Sequence, residues 1–211
     1  AAHQLRNPAA AVQSMAEAVR DAPDDKARTE RIAELLTAAR SSARVADQLL
    51  SLDRLQRPML DLEKVRFDLA DMVRQVCFEM GPLVLMQGID FETELPDTPV
   101  PILGDPVFLA EAVKNLIDNA LKHGGAGLSV IQVILSETEK SARITVRDDG
   151  KGLSPDQSTA AFSRFSQLEP SDGSGLGLAI VRSVAERHQG SVRIDATDEG
   201  ASVSMSIGRA G

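Results

Sequence analysis

Four stretches of the 211-residue chain carry side chains whose types and spacing can do chemistry. In PVFLAEAVKNLIDNALKHGG, Asn115 and Asn119 stand four apart, so on a helix they share one face. Lys122 and His123 follow within one turn, and two glycines end the run. Leu109, Val113, Leu116, Ile117, Ala120 and Leu121 take the other side. Two amides and an ammonium on one stripe suit a magnesium-bound phosphate chain, because Mg²⁺ takes oxygen ligands and keeps several waters. A solvated polar helix face reads the same way. RDDGKGL holds Asp148, Gly150 and Gly152 as D-x-G-x-G. A carboxylate at a strand end can accept from a ligand's amino group while bare backbone lets the ligand come near, although Asp-Gly turns are common. DGSGLGLAIV places Gly173, Gly175 and Gly177 before an amphipathic run. Backbone N–H groups at a helix N-terminus attract phosphate; a flexible hinge uses the same glycines. The spacing is neither G-x-G-x-x-G after a strand nor the P-loop pattern. Between these last two motifs lies LSPDQSTAAFSRFSQLEPSD. A loop of that length is a lid anchored by Phe162 and Phe165, or a disordered surface segment.

Elements that position these groups follow from periodicity. Residues 1–57 lack glycine, and proline occurs there only at Pro8 and Pro23. Leu5, Ala9, Val12, Ala16 and Val19 give one helix; Ile32, Leu35, Leu36, Ala39, Ala43, Ala46, Leu49 and Leu50 give a second. DAPDDK is the turn between them, making a helical hairpin. Its apolar residues are small and few, so it buries too little to stand alone, and two copies forming a four-helix bundle supply the missing core. A hairpin packed on its own C-terminal domain is the other solution. After Arg57-Pro58 come KVRFDL, IDFETEL, VPILGD, LSVIQVILSE, SARITVRDD, GSVRIDA and ASVSMSI, whose alternation marks strands. LADMVRQVCFEM, PVFLAEAVKNLIDNALKH and GLGLAIVRSVAERH read as helices. This mixture predicts an α/β sandwich with helices on one face of a mostly antiparallel sheet, its last two strands a hairpin around TDEG.

Composition narrows the classes. Hydrophobic residues are 43% and charged residues 26%, as in a globular protein. No apolar run reaches the length of a membrane span. A net charge of −8 argues against nucleic-acid binding, which needs clustered Lys and Arg. One cysteine, Cys77, excludes an internal disulfide and sits in an apolar helix as core. Three scattered histidines give no zinc-type cluster. His188 ends its helix before Gly190, where a basic group suits the helix dipole.

Together, N-x-x-x-N-A-x-K-H, D-x-G-x-G, F-x-x-F and G-x-G-x-G-L, in that order, resemble the catalytic and ATP-binding domain of sensor histidine kinases, within the ATPase superfamily shared with gyrase, the Hsp90 chaperones and MutL. The opening H-Q-L-R-N-P resembles their phosphoacceptor box, usually H-E-L-R-T-P, and H-Q-L-R looks like the tricarboxylate-transport sensors. The resemblance covers essentially the whole chain. It implies an α+β protein: residues 1–57 the dimerisation and histidine phosphotransfer domain, an antiparallel hairpin in a dimeric four-helix bundle, and residues 58–211 the catalytic ATP-binding domain.

The resemblance further implies that His3 is the phosphoacceptor. At about 100° per residue, His3 and Asn7 lie about 40° apart, with Leu5, Val12, Ala16 and Val19 roughly opposite. His3 thus faces solvent, and its imidazole is neutral near pH 7. Pro8 removes one N–H and bends the helix just after it. Gln4 stands where the family has an acidic residue; its amide orients the ring without taking a proton. Asn7 matches the position that places water for dephosphorylating the partner, which implies phosphatase activity. Asn119 resembles the Mg²⁺ ligand with Asn115 in support, and Lys122 and His123 meet the phosphates. Asp148 resembles the carboxylate that receives the adenine amino group, with Gly150 and Gly152 shaping its turn. Gly173, Gly175 and Gly177 let the lid close, and Arg164 within it contacts phosphate. ATP and Mg²⁺ are the implied cofactors; a second copy and a response-regulator receiver domain are the implied partners. His3 lies so near the start that the first helix reads as truncated. The chain is thus expected to be a cytoplasmic fragment of an inner-membrane sensor, itself without membrane contact. Two other readings stand beside this one: an ATP hydrolase of the same superfamily using Glu111, four residues before Asn115, and a non-catalytic nucleotide-binding scaffold.

Overall fold

The computed structural model describes residues 2–56, 64–152, 175–195, 197 and 199–208, with the side chains of residues 2–9, 41, 44 and 54–56 outside the described set. The chain forms two compact units, Ala1–Arg54 and Leu55–Gly211.

In the first unit, helix α1 spans Ala2–Arg20 and helix α2 spans Asp25–Gln56. Asp24 starts α2: its Oδ1 accepts the Ala27 N–H at 2.8 Å, satisfying one of the donors a helix start leaves over. Arg31 reaches back and donates to the Ala18 carbonyl at 2.6 Å, covering an acceptor at the end of α1. On α2, Leu52 is buried, whereas Ile32, Leu36 and Leu50 are 41%, 50% and 58% exposed.

The second unit runs β1 (Val65–Asp68), α3 (Leu69–Leu85), β2 (Asp90–Glu94), β3 (Pro101–Gly104), α4 (Pro106–His123), β4 (Val130–Glu137), β5 (Ser141–Asp148), α5 (Gly177–Arg187), β6 (Val192–Asp195) and β7 (Ala201–Gly208). β1 and β3 form an antiparallel pair, and the other strands form a five-stranded sheet ordered β2-β4-β5-β7-β6. Only the β2–β4 pairing in it is parallel. Alternation decides which face is buried. Ile131, Val133, Leu135, Ile144, Val146, Met205 and Ile207 lie in the core, and Val133↔Val146 and Ile144↔Met205 pair across strands. Helices α3, α4 and α5 cover that face.

α3 is longer than its sequence suggests. Gly81-Pro82 does not stop it, because Val84 is buried and Gly81 lies under the Phe91 ring, 3.5 Å from where a Cβ would stand. That packing outweighs one lost N–H. Cys77 is core, and burial raises its thiol to about 11.

Candidate functional site

α4 is fixed at its start by Asp105, whose Oδ1 accepts from the Val107 and Phe108 N–H groups at 3.0 and 3.2 Å, with Pro106 at the first helical position. Its end is fixed differently. Gly124 caps the helix, and Gly125 follows at φ 80°. The Lys151 N–H donates to the Gly124 carbonyl at 2.7 Å. A Cβ on Gly150 would stand 2.2 Å from that same oxygen, so only glycine fits. The end of the two-asparagine helix is thereby laid against the D-x-G-x-G turn.

That turn is held from the other side as well. Gly152, at φ 69°, lies against Gly200 of the β6–β7 turn, where its Cβ would meet the Gly200 oxygen at 2.6 Å. A Cβ on Gly200 would be 1.8 Å from the Asp148 carbonyl. Asp148 is 6% exposed. Its Oδ1 accepts from the N–H groups of Gly150 (3.0 Å) and Ala201 (3.3 Å). Burial pushes its pKa up, partly offset by those two donors. Asp149 turns outward and accepts from Ser129 N–H (2.8 Å), Val130 N–H (2.9 Å) and the Ser129 hydroxyl. The Ser129 hydroxyl and these backbone donors hold its carboxyl down at about 2.

α5 begins beside the middle of α4. Gly175 takes φ 65°, Leu176 is buried, and no side chain caps the helix among the described residues. A Cβ on Gly177 would be 3.2 Å from Asn115 Oδ1. Asn115 is buried and donates through Nδ2 to the Glu111 carbonyl at 2.9 Å. Asn119, one turn on, is half-buried, as is His123, and Lys122 pairs with Asp118 at 2.9 Å.

The structure therefore gathers Asn115, Asn119, Lys122 and His123 on one helix, sets that helix's end against Asp148, Gly150 and Gly152, and sets Gly177 on Asn115. It separates the two asparagines by environment: Asn115 is packed under α5, so only Asn119 of the pair fits the open stripe expected from spacing. His3, Gln4 and Asn7 fall within α1, with their side chains outside the described residues. Arg164, Gly173 and the Phe162 and Phe165 loop also lie outside them. His188 requires a correction. It caps α5, but it is buried, and burial lowers its pKa, so a neutral ring rather than a cation meets the helix end. Sequence reasoning read Gly124 only as a helix end and Gly200 only as a turn, and passed over Ser129 and Asp149; the second Asp of D-D-G was the available signal.

No three His, Cys, Asp or Glu side chains converge on a metal position among the described residues. A cation held mainly by phosphate and water needs no such cluster, and the half-buried Asn119 carries an amide oxygen of the donor type it takes. The buried Asp148, with two donors on Oδ1, and the glycine-lined turn around it fit a nucleotide base.

A family model described as histidine kinase-, DNA gyrase B-, and HSP90-like ATPase matches residues 104–210. The chain belongs to that family and, within it, to the sensor histidine kinases. Sensor histidine kinase TrcS of Mycobacterium tuberculosis is 36% identical over 202 residues, which are 91% of this chain and 39% of TrcS. The chain spans 39% of TrcS and less than half the length of the sensor kinases QseC, BaeS, SenX3 and RppB. Among solved structures, full-length ShkA in complex with AMPPNP superposes with TM-score 0.67 at 26% identity, over 85% of this chain and 38% of ShkA. Histidine kinase ThkA, in complex with response regulator TrrA, superposes with TM-score 0.78 at 19% identity, over 99% of this chain and 60% of that one, a likeness of fold.

Proposed function

We propose that this chain is a protein-histidine kinase that phosphorylates its own His3 from ATP and passes the phosphoryl group to an aspartate of a response-regulator receiver domain. The observation that carries the reading is the clamped turn: buried Asp148 has two backbone donors on Oδ1, and Gly150, Gly152 and Gly200 close around it with no room for a side chain. In this reading residues 58–211 bind the nucleotide. Asp148 accepts the adenine amino group, and Gly150 and Gly152 give the base room. Asn119 lends its amide oxygen to Mg²⁺, which neutralises phosphate charge when bound. Asn115 seats α5. Lys122, His123 and Arg164 face the phosphates, and Gly173, Gly175 and Gly177 let the chain close over them. The nucleotide analogue held by ShkA, and the sensor-kinase relatives, support this assignment over an ATP hydrolase using Glu111.

Residues 1–57 carry the acceptor. A ring nitrogen of neutral His3 takes the γ-phosphoryl group, oriented by Gln4, and Asn7 places the water that removes phosphate from the partner. The exposed Ile32, Leu36 and Leu50 of α2 support a second copy completing a four-helix bundle. The tricarboxylate-transport subgroup rests on His3-Gln4-Leu5-Arg6 alone. Among the described residues no helix is long and apolar enough to cross a membrane; the cytoplasmic portion of a membrane sensor rests on the resemblance and on the partial span of the sensor-kinase relatives.

Incubation with γ-labelled ATP and Mg²⁺ tests the proposal. Label that is acid-labile and alkali-stable, and absent from His3→Ala, is expected. Persistence of label in His3→Ala overturns the acceptor assignment.

A further inference from the structure

His188 is a buried titratable group that the proposed mechanism leaves unused, and its bonding fixes its state. Its Nε2 lies 3.0 Å from the Asp105 backbone nitrogen. That N–H can only donate, so Nε2 is the unprotonated acceptor. Nδ1 then carries the proton and donates to the Val184 carbonyl at 2.7 Å. The ring fits because position 104 is glycine: a Cβ there would stand 2.9 Å from Cδ2 and 3.0 Å from Nε2. The backbone is anchored too, since Gly208 N–H donates to the His188 carbonyl at 2.9 Å.

The location gives this bond leverage. α5 packs along α4 through buried side chains, with Gly177 beside Asn115 near the α5 start and the His188–Asp105 bond at its end. Asp105 is also the cap of α4. The ring bond adds a directional fastening at the far end of that packed interface; its loss relaxes the angle of α5 on α4, and the glycine-flanked N-terminus shifts with it.

We propose that His188 is a positioning residue for nucleotide binding: by accepting from Asp105 it latches the end of α5 to the start of α4 and sets where the α5 N-terminus meets the phosphates. The inference rests on the nucleotide reading of that terminus. Protonation of Nε2 turns the acceptor into a donor facing another donor, so acid opens the latch. Burial favours the neutral ring, and Lys64 and Arg187 act with it; together they outweigh the Val184 carbonyl and Asp105, which favour the protonated form. The sign follows: the latch is whole above the ordinary histidine pKa of about 6.5 and is lost as pH falls through the lowered native value.

The test titrates the whole chain with trinitrophenyl-ATP from about pH 7.5 down to about pH 4.5, a range that runs well below the ordinary histidine value. Wild type should lose about fivefold in affinity toward acid, the low end of ordinary coupling between sites. His188→Gln keeps an acceptor oxygen but cannot titrate. It should bind like wild type at the upper pH and lack the His188 part of the acid loss; every other titrating group is common to both proteins and cancels in the comparison. Gly104→Ala, which crowds the ring, should weaken binding at the upper pH. Superimposable pH profiles for wild type and His188→Gln, or wild-type binding by a folded Gly104→Ala, overturn the latch. If His188→Gln does not fold, ¹⁵N NMR of the wild-type ring decides: an unprotonated Nε2 at neutral pH supports the latch, and a protonated one sinks it. Absence of any binding by wild type at the upper pH instead sinks the nucleotide reading itself.

Discussion

The two ends of α4 are held by different chemistry. At the N-terminal end side chains do the work: the Asp105 carboxylate caps the helix, and the His188 ring holds the Asp105 N–H. At the C-terminal end backbone meets backbone: Lys151 N–H on Gly124 carbonyl, with Gly150 pressed on the same oxygen. A side-chain fastening tolerates a substitute that keeps its acceptor and responds to pH. A backbone fastening ignores pH and tolerates no added atom. The end facing the proposed nucleotide is thus the one closed to substitution, and the remote end is the adjustable one.

The largest effect should come from breaking the backbone end. Gly150→Ala puts a methyl carbon 2.2 Å from a carbonyl oxygen that cannot rotate aside. A loss of at least about 2 kcal/mol is expected, on the scale of overpacking in a close-packed site, read as a lower urea midpoint with an unchanged slope. Nucleotide binding should vanish with it. A Gly150→Ala protein of wild-type stability would show that the two ends do not differ.

At the side-chain end Asp105→Ala removes the cap, for about 0.5–2 kcal/mol, and Asp105→Asn should restore much of that because its amide oxygen can accept the same N–H groups. Equal losses for Asn and Ala would mean that charge, not capping geometry, holds this end.

What was legible in the sequence follows the same division. α4 could be read because Leu109, Val113, Leu116, Ile117 and Ala120 recur on one face, β4 and β5 because burial alternates along them, and β7 because serines alternate with apolar residues although Ser202 and Ser204 are buried too. Asp148-x-Gly150-x-Gly152 was visible as a motif. Its reason was not: the oxygen that excludes a side chain at Gly150 belongs to Gly124, and the one at Gly152 to Gly200, far off in sequence. Gly200 was legible as a hairpin turn, which it is, but not as the wall behind Asp148. His188 read as a helix-end cation because its partner lies 83 residues away. Periodicity reports burial against a layer; it carries no record of which backbone atom waits on the other side.

Acid sharpens the comparison a third way. Asp149 pins Ser129 and Val130, the segment after the α4 end, with its carboxyl lowered to about 2. The unfolded carboxylate titrates near 3.9, so the native protein gains from ionised Asp149 above that value and loses the gain as pH falls through about 2. Thermal midpoints of wild type and Asp149→Asn should converge over that window and stay apart above it. A constant gap down to the acid limit removes Asp149 from the account.

The smallest change in stability is expected at Lys122. Its Nζ sits 2.9 Å from Asp118 Oδ2, one turn back on the helix. Pairs of this kind contribute about 0.3–0.5 kcal/mol, so Lys122→Ala should lower the melting temperature by no more than about 2 °C. Binding separates the two roles open to this side chain. If Lys122 serves only Asp118, then Lys122→Ala and Asp118→Asn cost the same small stability and leave the affinity for trinitrophenyl-ATP alone. If it meets the phosphates, Lys122→Ala weakens that affinity while Asp118→Asn, which frees the ammonium, does not, and added salt narrows the difference because the contact is between charges near water. Equal binding by both variants and wild type would leave the C-terminal end of α4 with backbone alone to offer a nucleotide.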